Sequence, residues 1–325
     1  MGRFANAFGP HAPADTYLPR GFEERLFDTG EVEINYVTVG SVTVGADDRP
    51  ALLLIPGQTE SWWGYEAALP LLAEHFQAYA VDLRGQGRSG RTPGRYTLDN
   101  IGNDLVRFID GVIGRPTIVA GLSSGGVIAA WLSAYARPGQ VVAAYYEDPP
   151  LFSSEIRPAV GPGIGQSIGP LFAHMAKYLG DQWSIGDWEA MVAAIPTELP
   201  ARLGFLAGPM GMTDAPAQSI KEYDPEWGRA FWSGTFYESC PHEQMLASVK
   251  VPVLFTHHFR VVDEASGALL GAISDLQLAR VRELVTEAGN AFDYVSFPEM
   301  GHSMHGQDPQ RYVATLSEWA RELPR

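Results

Sequence analysis

The sequence predicts an α/β architecture: a mostly parallel, doubly wound sheet with one mainly helical cap inserted into it. Three observations carry that expectation. Short apolar runs recur at 51–55, 77–82, 117–121, 141–146, 251–257 and 292–297. Most lack polar alternation, which suits strands buried on both faces. Helical stripes lie between them, and such alternation builds parallel sheets through right-handed crossovers. The rhythm then fails across residues 149–245, which hold Gly- and Pro-rich pieces, Pro-bounded helical stretches and four of the eight Trp.

Residues 1–20, rich in Gly, Pro and Ala, read as an irregular arm. Residues 31–40 alternate at period two, with Val32, Ile34, Tyr36 and Val39 nearly on one face, and predict a half-buried antiparallel strand. Thr97 is placed to cap a helix whose Leu98, Ile101, Leu105, Phe108 and Val112 form one stripe. Asp99 falls in its first turn, where the macrodipole favours an acid. Near the end, Asp308 is followed by Pro309, a cap and then proline at the first helical position. Tyr312, Val313, Leu316 and Trp319 make the stripe that this helix buries. The expected organisation is an arm (1–20), a first core part (21–148), a helical cap (149–245) and a second core part (246–325).

Composition narrows the function. Of 325 residues, 46% are apolar and 19% charged, enough for a sizeable core and too apolar for disorder. The net charge of −15 repels phosphate backbones and anionic lipid surfaces, so neither nucleic acid nor a membrane is expected as a partner. The lone Cys240 excludes an intrachain disulfide and suits a reducing compartment. No apolar run approaches the ~18 residues of a membrane span, and the N-terminus lacks a leader-like apolar core, so a cytoplasmic location is expected. A homodimer is left open.

The sharpest feature is GLSSG at 121–125, between TIVA and VIAAWLSAYA. Strand, G-x-S-x-G, helix is the context of a nucleophile elbow. A serine there sits on a tight turn with its oxygen exposed, and small neighbours let other backbones approach. Ser123 is the expected nucleophile, and Ser124 would lend its backbone N–H to an oxyanion. The competing reading is a glycine-rich turn without chemistry. A serine needs a base, and the base needs an orienting acid. His302, in PEMGHSMH between the last strand and the last helix, is the best-placed base. With His305 it makes H-x-x-H, too sparse alone for a zinc site, so no metal is expected. His257 and His258 end a strand and line the site or, more simply, serve as polar strand ends. VDLRGQGRSG (81–90) lacks the spacing of a phosphate loop and reads as a tight turn pinned by Asp82 and Arg84.

Taken together and in order, IPGQTESWW, VDLRGQGRSG, GLSSGG and PEMGHSMH resemble the α/β-hydrolase superfamily, over about residues 25–150 and 250–325. GDQWSIGDW (180–188), KEYDPEWGRAF (221–231) and LLGAISDLQ (269–277) give a closer likeness to the zearalenone lactone hydrolases, especially bacterial ones. The α/β-hydrolase fold places the acid after the strand at 251–257, where Asp263 and Asp275 lie, or after the preceding strand, where Glu147 and Asp148 lie. The fungal lactonases use a Glu 24 residues beyond the serine, and 123 + 24 = 147, so the resemblance implies Glu147, with Asp263, Asp148 and Asp275 as alternatives. It also implies Gln58 as the second oxyanion donor. The superfamily usually has His-Gly there, whereas this chain has Pro56-Gly57, with proline where the fungal enzymes also have it.

The cap is rich in aromatic and Met side chains, which would suit a large, flat, apolar ligand or simply the cap's own core. Trp188, in a W-E-A-M string like one of the fungal enzymes, is expected on the substrate, with Trp183, Gly57 and His257 as further contacts. The implied activity is hydrolysis of an apolar small-molecule ester or lactone, specifically the ester of the mycotoxin zearalenone, through an acyl-enzyme and without a cofactor. The alternatives are a general carboxylesterase, a C–C hydrolase, or a lactone-binding receptor with little turnover. Dehalogenases and epoxide hydrolases are disfavoured, because their nucleophile is Asp where this chain has Ser123.

Overall fold

The computed structural model describes residues 21–40, 49–179, 186–204, 216 and 218–323. Strands are β1 (Arg25–Asp28), β2 (Glu33–Val39), β3 (Ala51–Ile55), β4 (Gln77–Val81), β5 (Thr117–Leu122), β6 (Val141–Glu147), β7 (Val253–His257), β8 (Arg260–Val262), β9 (Leu269–Gly271) and β10 (Phe292–Ser296). The described helices of eight residues or more are α1 (Leu98–Phe108), α2 (Ser124–Tyr135), α3 (Gly169–Tyr178), α4 (Trp188–Glu198), α5 (Glu226–Ser233), α6 (Asp275–Glu287) and α7 (Pro309–Glu322).

Eight strands form one sheet in the order β1-β2-β4-β3-β5-β6-β7-β10. The pairs β1–β2 and β2–β4 are antiparallel, and the rest are parallel. The apolar runs give the central strands, for the expected reason. Along β3 and β5 every residue is buried. Leu53 and Val119 join one core cluster, Leu52, Leu54, Ile118 and Ala120 the other, so both faces of the sheet are dry. Two expectations change. The strand at 33–39 is antiparallel as expected, but Ile34, Asn35, Tyr36 and Val37 are all buried, because helices cover its second face too. The run at 292–297 is the sheet's edge, and β10 is largely exposed or half-buried.

The caps form as their chemistry requires. Thr97 Oγ1 accepts the Asn100 N–H (3.2 Å), and Asp308 Oδ1 accepts the Arg311 N–H (3.1 Å). Between β6 and β7 the described residues are helices and turns, α3 to α5 among them. This insertion is tied to the loop after β4: Asp224 N–H donates to Gly85 O (2.8 Å), Trp227 Nε1 to Arg84 O (2.6 Å), and Glu222 pairs with Arg88 (3.3 Å). The same loop is the turn read from VDLRGQGRSG. Buried Asp82 accepts the N–H groups of Trp62 and Arg88 and the Asn35 amide, and Arg84 makes a fork to Asp104 (2.5 and 2.6 Å). Among the described residues no helix is long and apolar enough to cross a membrane.

Candidate active site

The β5–α2 junction is built by exclusion of side chains. A Cβ on Gly121 would lie 2.2 Å from Gly125 O, and one on Gly125 would lie 2.3 Å from Ile55 O. Neither position has room for alanine, so the chain can turn from strand into helix in a single residue. That residue is Ser123, at φ 55° and ψ −123°, a conformation L-residues rarely adopt. Its N–H donates to Glu147 O (2.9 Å), and its carbonyl accepts from the N–H of Gly126 (2.9 Å) and Val127 (3.1 Å). Ser124 begins α2, so its N–H has no acceptor within the helix. Gly57, after β3, passes close enough that a Cβ there would sit 3.3 Å from Ser123 Cβ. The loop of Gly57 and Gln58 therefore borders the serine.

Glu147 does not touch His302, contrary to the expectation drawn from the fungal pattern. Asp148 does: its Oδ2 accepts from His302 Nδ1 at 2.7 Å. Adjacent residues at a strand end point to opposite sides. Asp148 itself has φ 42°, which turns its carboxylate out of the strand path. Its N–H donates to Thr256 O (2.9 Å), and its other oxygen accepts the His258 N–H (3.1 Å). Burial alone would raise the Asp148 carboxyl, but the hydrogen bond and charge of His302, with help from His258, hold it below its ordinary value. Burial alone would likewise lower His302, yet Asp148 outweighs it and raises the imidazole. An ionised Asp148 can only accept, so Nδ1 of His302 carries the proton. Nε2 is left to act as base when the ring is neutral. The His302 side chain is 48% exposed, the Asp148 side chain 2%.

Glu147 instead faces the other way into the protein. Its carboxylate accepts the N–H groups of Met304 (2.7 Å) and His305 (3.1 Å) and pairs with His305 Nδ1 (2.8 Å). The remaining acids lie elsewhere. Asp263 caps its own turn through Ser266, and Asp275 starts α6 and pairs with Arg260 (2.7 Å).

Of the two strand-end histidines, His258 and not His257 braces the site. His258 Nδ1 lies 2.9 Å from Gly301 O and 3.0 Å from His302 O. Carbonyls only accept, so this nitrogen donates and holds the loop that carries His302. His257 points its Nε2 at Ile273 O (2.8 Å) and is fully buried. The expectation of a substrate contact at His257 is replaced by that structural bond. Trp188 is 5% exposed and belongs to the core cluster that runs from the sheet into the cap. Trp183 lies outside the described residues. Glu60 was missed in the sequence: its Oε2 accepts the Gly57 N–H (3.1 Å), a contact with no sequence signature. Among the described residues no group of three or more His, Cys, Asp or Glu is arranged to hold a metal ion.

Residues 52–315 match the model of the alpha/beta hydrolase family. "Epoxide hydrolase 1" of Caenorhabditis elegans is 29% identical over 123 residues, 37% of this chain and 29% of that protein. "3-oxoadipate enol-lactonase 2" of Acinetobacter baylyi is 30% identical over 105 residues, 32% of this chain and 37% of that protein. The chain thus spans about a third of the length of these curated relatives. The enol-lactonase structure from Burkholderia xenovorans LB400 superposes with a TM-score of 0.61 at 15% identity, covering 92% of this chain and all of that one, a likeness of fold. With the family model spanning most of its length and its strained serine at the turn from β5 into α2, the chain belongs to the α/β hydrolase family.

Proposed function

We propose that the protein is a serine hydrolase that opens the ester of a resorcylic macrolactone of the zearalenone type. The observation that carries the hydrolase reading is the Asp148–His302 pair at 2.7 Å, on a half-exposed histidine, with a strained serine just past the end of the adjoining strand β5. In this reading Ser123 Oγ attacks the ester carbonyl while His302 Nε2 takes its proton. Asp148 keeps Nδ1–H directed and offsets the imidazolium charge. The N–H groups of Gln58 and Ser124 hold the oxyanion. His302 then protonates the departing alkoxide. A water molecule, deprotonated by the same nitrogen, attacks the acyl-enzyme and frees the ring-opened acid. No cofactor takes part.

The ester class is supported by the enol-lactonase and by the serine, since ring opening of a lactone is this same acyl transfer. The macrolactone rests on the cap strings, of which KEYDPEWGRAF lies where the insertion meets the loop after β4. Incubation with zearalenone followed by mass spectrometry should show the gain of one water, with decarboxylation of the resorcylic acid as a permitted second step. Intact zearalenone beside rapid hydrolysis of p-nitrophenyl esters would make the protein a general carboxylesterase. Tight binding of the lactone with no turnover of either would make it a receptor.

A further inference from the structure

We propose that Glu147, His305 and Glu60 form a brace that keeps the nucleophile, the base loop and the oxyanion loop in register, which rests on the serine-hydrolase reading above. None of the three touches the reacting atoms, so they are positioning residues.

The contacts run as one path. The Glu147 backbone carbonyl holds the Ser123 N–H (2.9 Å), and its carboxylate holds the N–H groups of Met304 and His305, the turn directly after His302. The same carboxylate binds His305 Nδ1 (2.8 Å). The His305 ring stacks on Tyr65, with centroids 3.9 Å apart and planes 20° apart. Its far nitrogen lies 3.3 Å from Ser303 Oγ and 3.8 Å from Glu60 Oε2. That Glu60 oxygen accepts the Gly57 N–H (3.1 Å), next to the proposed donor Gln58. Gly64 allows the approach, since a Cβ there would stand 3.3 Å from His305 Nε2.

The path joins segments more than 150 residues apart in sequence, which no local hydrogen bond could keep in register. Glu147 and His305 are both 0% exposed. Burying such a pair costs desolvation that an apolar pair would not, so directional bonds are the plain return. Burial opposes both charged forms, yet each partner overrides it: Glu147 stays below its ordinary value and His305 above it. The carboxylate therefore remains an acceptor for all three donors across neutral pH.

The test uses the full chain. Glu60 is 25% exposed, so Glu60→Ala should fold. Turnover of a p-nitrophenyl ester, thermal midpoint and the rate at which a fluorophosphonate labels Ser123 are measured together. Glu60→Ala should lower kcat and labelling each by about 10-fold to 100-fold, with KM within about threefold, because a small misplacement of reacting groups has that cost. Glu60→Gln, which retains an acceptor oxygen, should recover most of the loss. His305→Phe should keep the stacking and lose more activity than Glu60→Ala. Should His305→Phe fail to fold, the Glu60 pair of variants decides alone. The brace is overturned if Glu60→Ala keeps wild-type kcat and labelling, if Glu60→Gln is as impaired as Glu60→Ala, or if only the thermal midpoint moves. A wild-type protein whose Ser123 is not labelled sinks the hydrolase reading and the brace together, whereas a labelled wild type with indifferent variants sinks the brace alone.

Discussion

Two carboxylate–imidazole pairs grow from adjacent residues at the end of β6, and they differ in their access to solvent. Asp148 and His302 stand at the mouth of the site, with the histidine 48% exposed. Glu147 and His305 lie behind it, fully sealed. The separations are nearly equal, 2.7 and 2.8 Å. Pairing geometry alone therefore does not mark a base; access does. A histidine that must pass a proton between serine and leaving group has to reach the substrate, and His305, under Tyr65 and with Gly64 and Ser303 against its Nε2, does not.

The largest test of this contrast removes the nucleophile. Ser123→Ala should lower kcat by roughly 10³–10⁶ and leave the fold intact, since little packing is lost at the elbow. A folded variant keeping a tenth of wild-type turnover would end the assignment.

The two acids come next. Asp148→Asn should cost roughly 10²–10⁴ in kcat, because the imidazolium loses its countercharge and Nδ1 its fixed proton. Glu147→Gln should cost less in kcat and more in stability, about 3–5 kcal/mol by chemical denaturation, because it leaves a buried partner of an ion pair uncompensated. The opposite ranking would return the catalytic acid to Glu147.

The pH profile sharpens the contrast further. The base works only when neutral, so activity falls as pH drops through the His302 value. Asp148 raises that value, so the acid limb of kcat/KM should lie above the ordinary His value of 6.5. Asp148→Asn should move the limb down furthest, and Glu60→Gln, which removes a smaller charge that also raises His302, should move it down less.

The smallest effect concerns the sealed pair and is read as stability against pH. Glu147 is lowered from 4.5, so its contribution is complete above that value and lost as pH falls through the lowered one. His305 is raised from 6.5, so its contribution is complete below that value and lost as pH rises through the raised one. The thermal-midpoint gap between wild type and His305→Gln should therefore be widest between pH 4.5 and 6.5 and narrow on either side. A gap independent of pH would mean that the pair carries no charge.

Much of the fold and half of the site were legible in the sequence. The central strands announce themselves by apolar runs because a strand dry on both faces admits nothing else, and β3 and β5 are such strands. The elbow is legible because its demands are local: the turn at Ser123 needs glycines at 121 and 125, and the sequence has them. His302 follows from its place between the last strand and the last helix. The choice between Glu147 and Asp148 was not legible. The two are neighbours, both are acids, and the φ of 42° at Asp148 that sends them apart is a property of the folded backbone. The same holds for His257 and His258, which alternate across β7 and its end, and only packed neighbours say which one meets the His302 loop. Glu60 meeting Gly57 on one side and His305 on the other joins residues about 245 apart, and no spacing rule reaches that far. What the sequence by itself determined is therefore what one turn or one strand can enforce through sterics and burial, whereas the partner of each titratable group was decided by tertiary structure, because contacts between distant segments exist only after the sheet has brought their ends together.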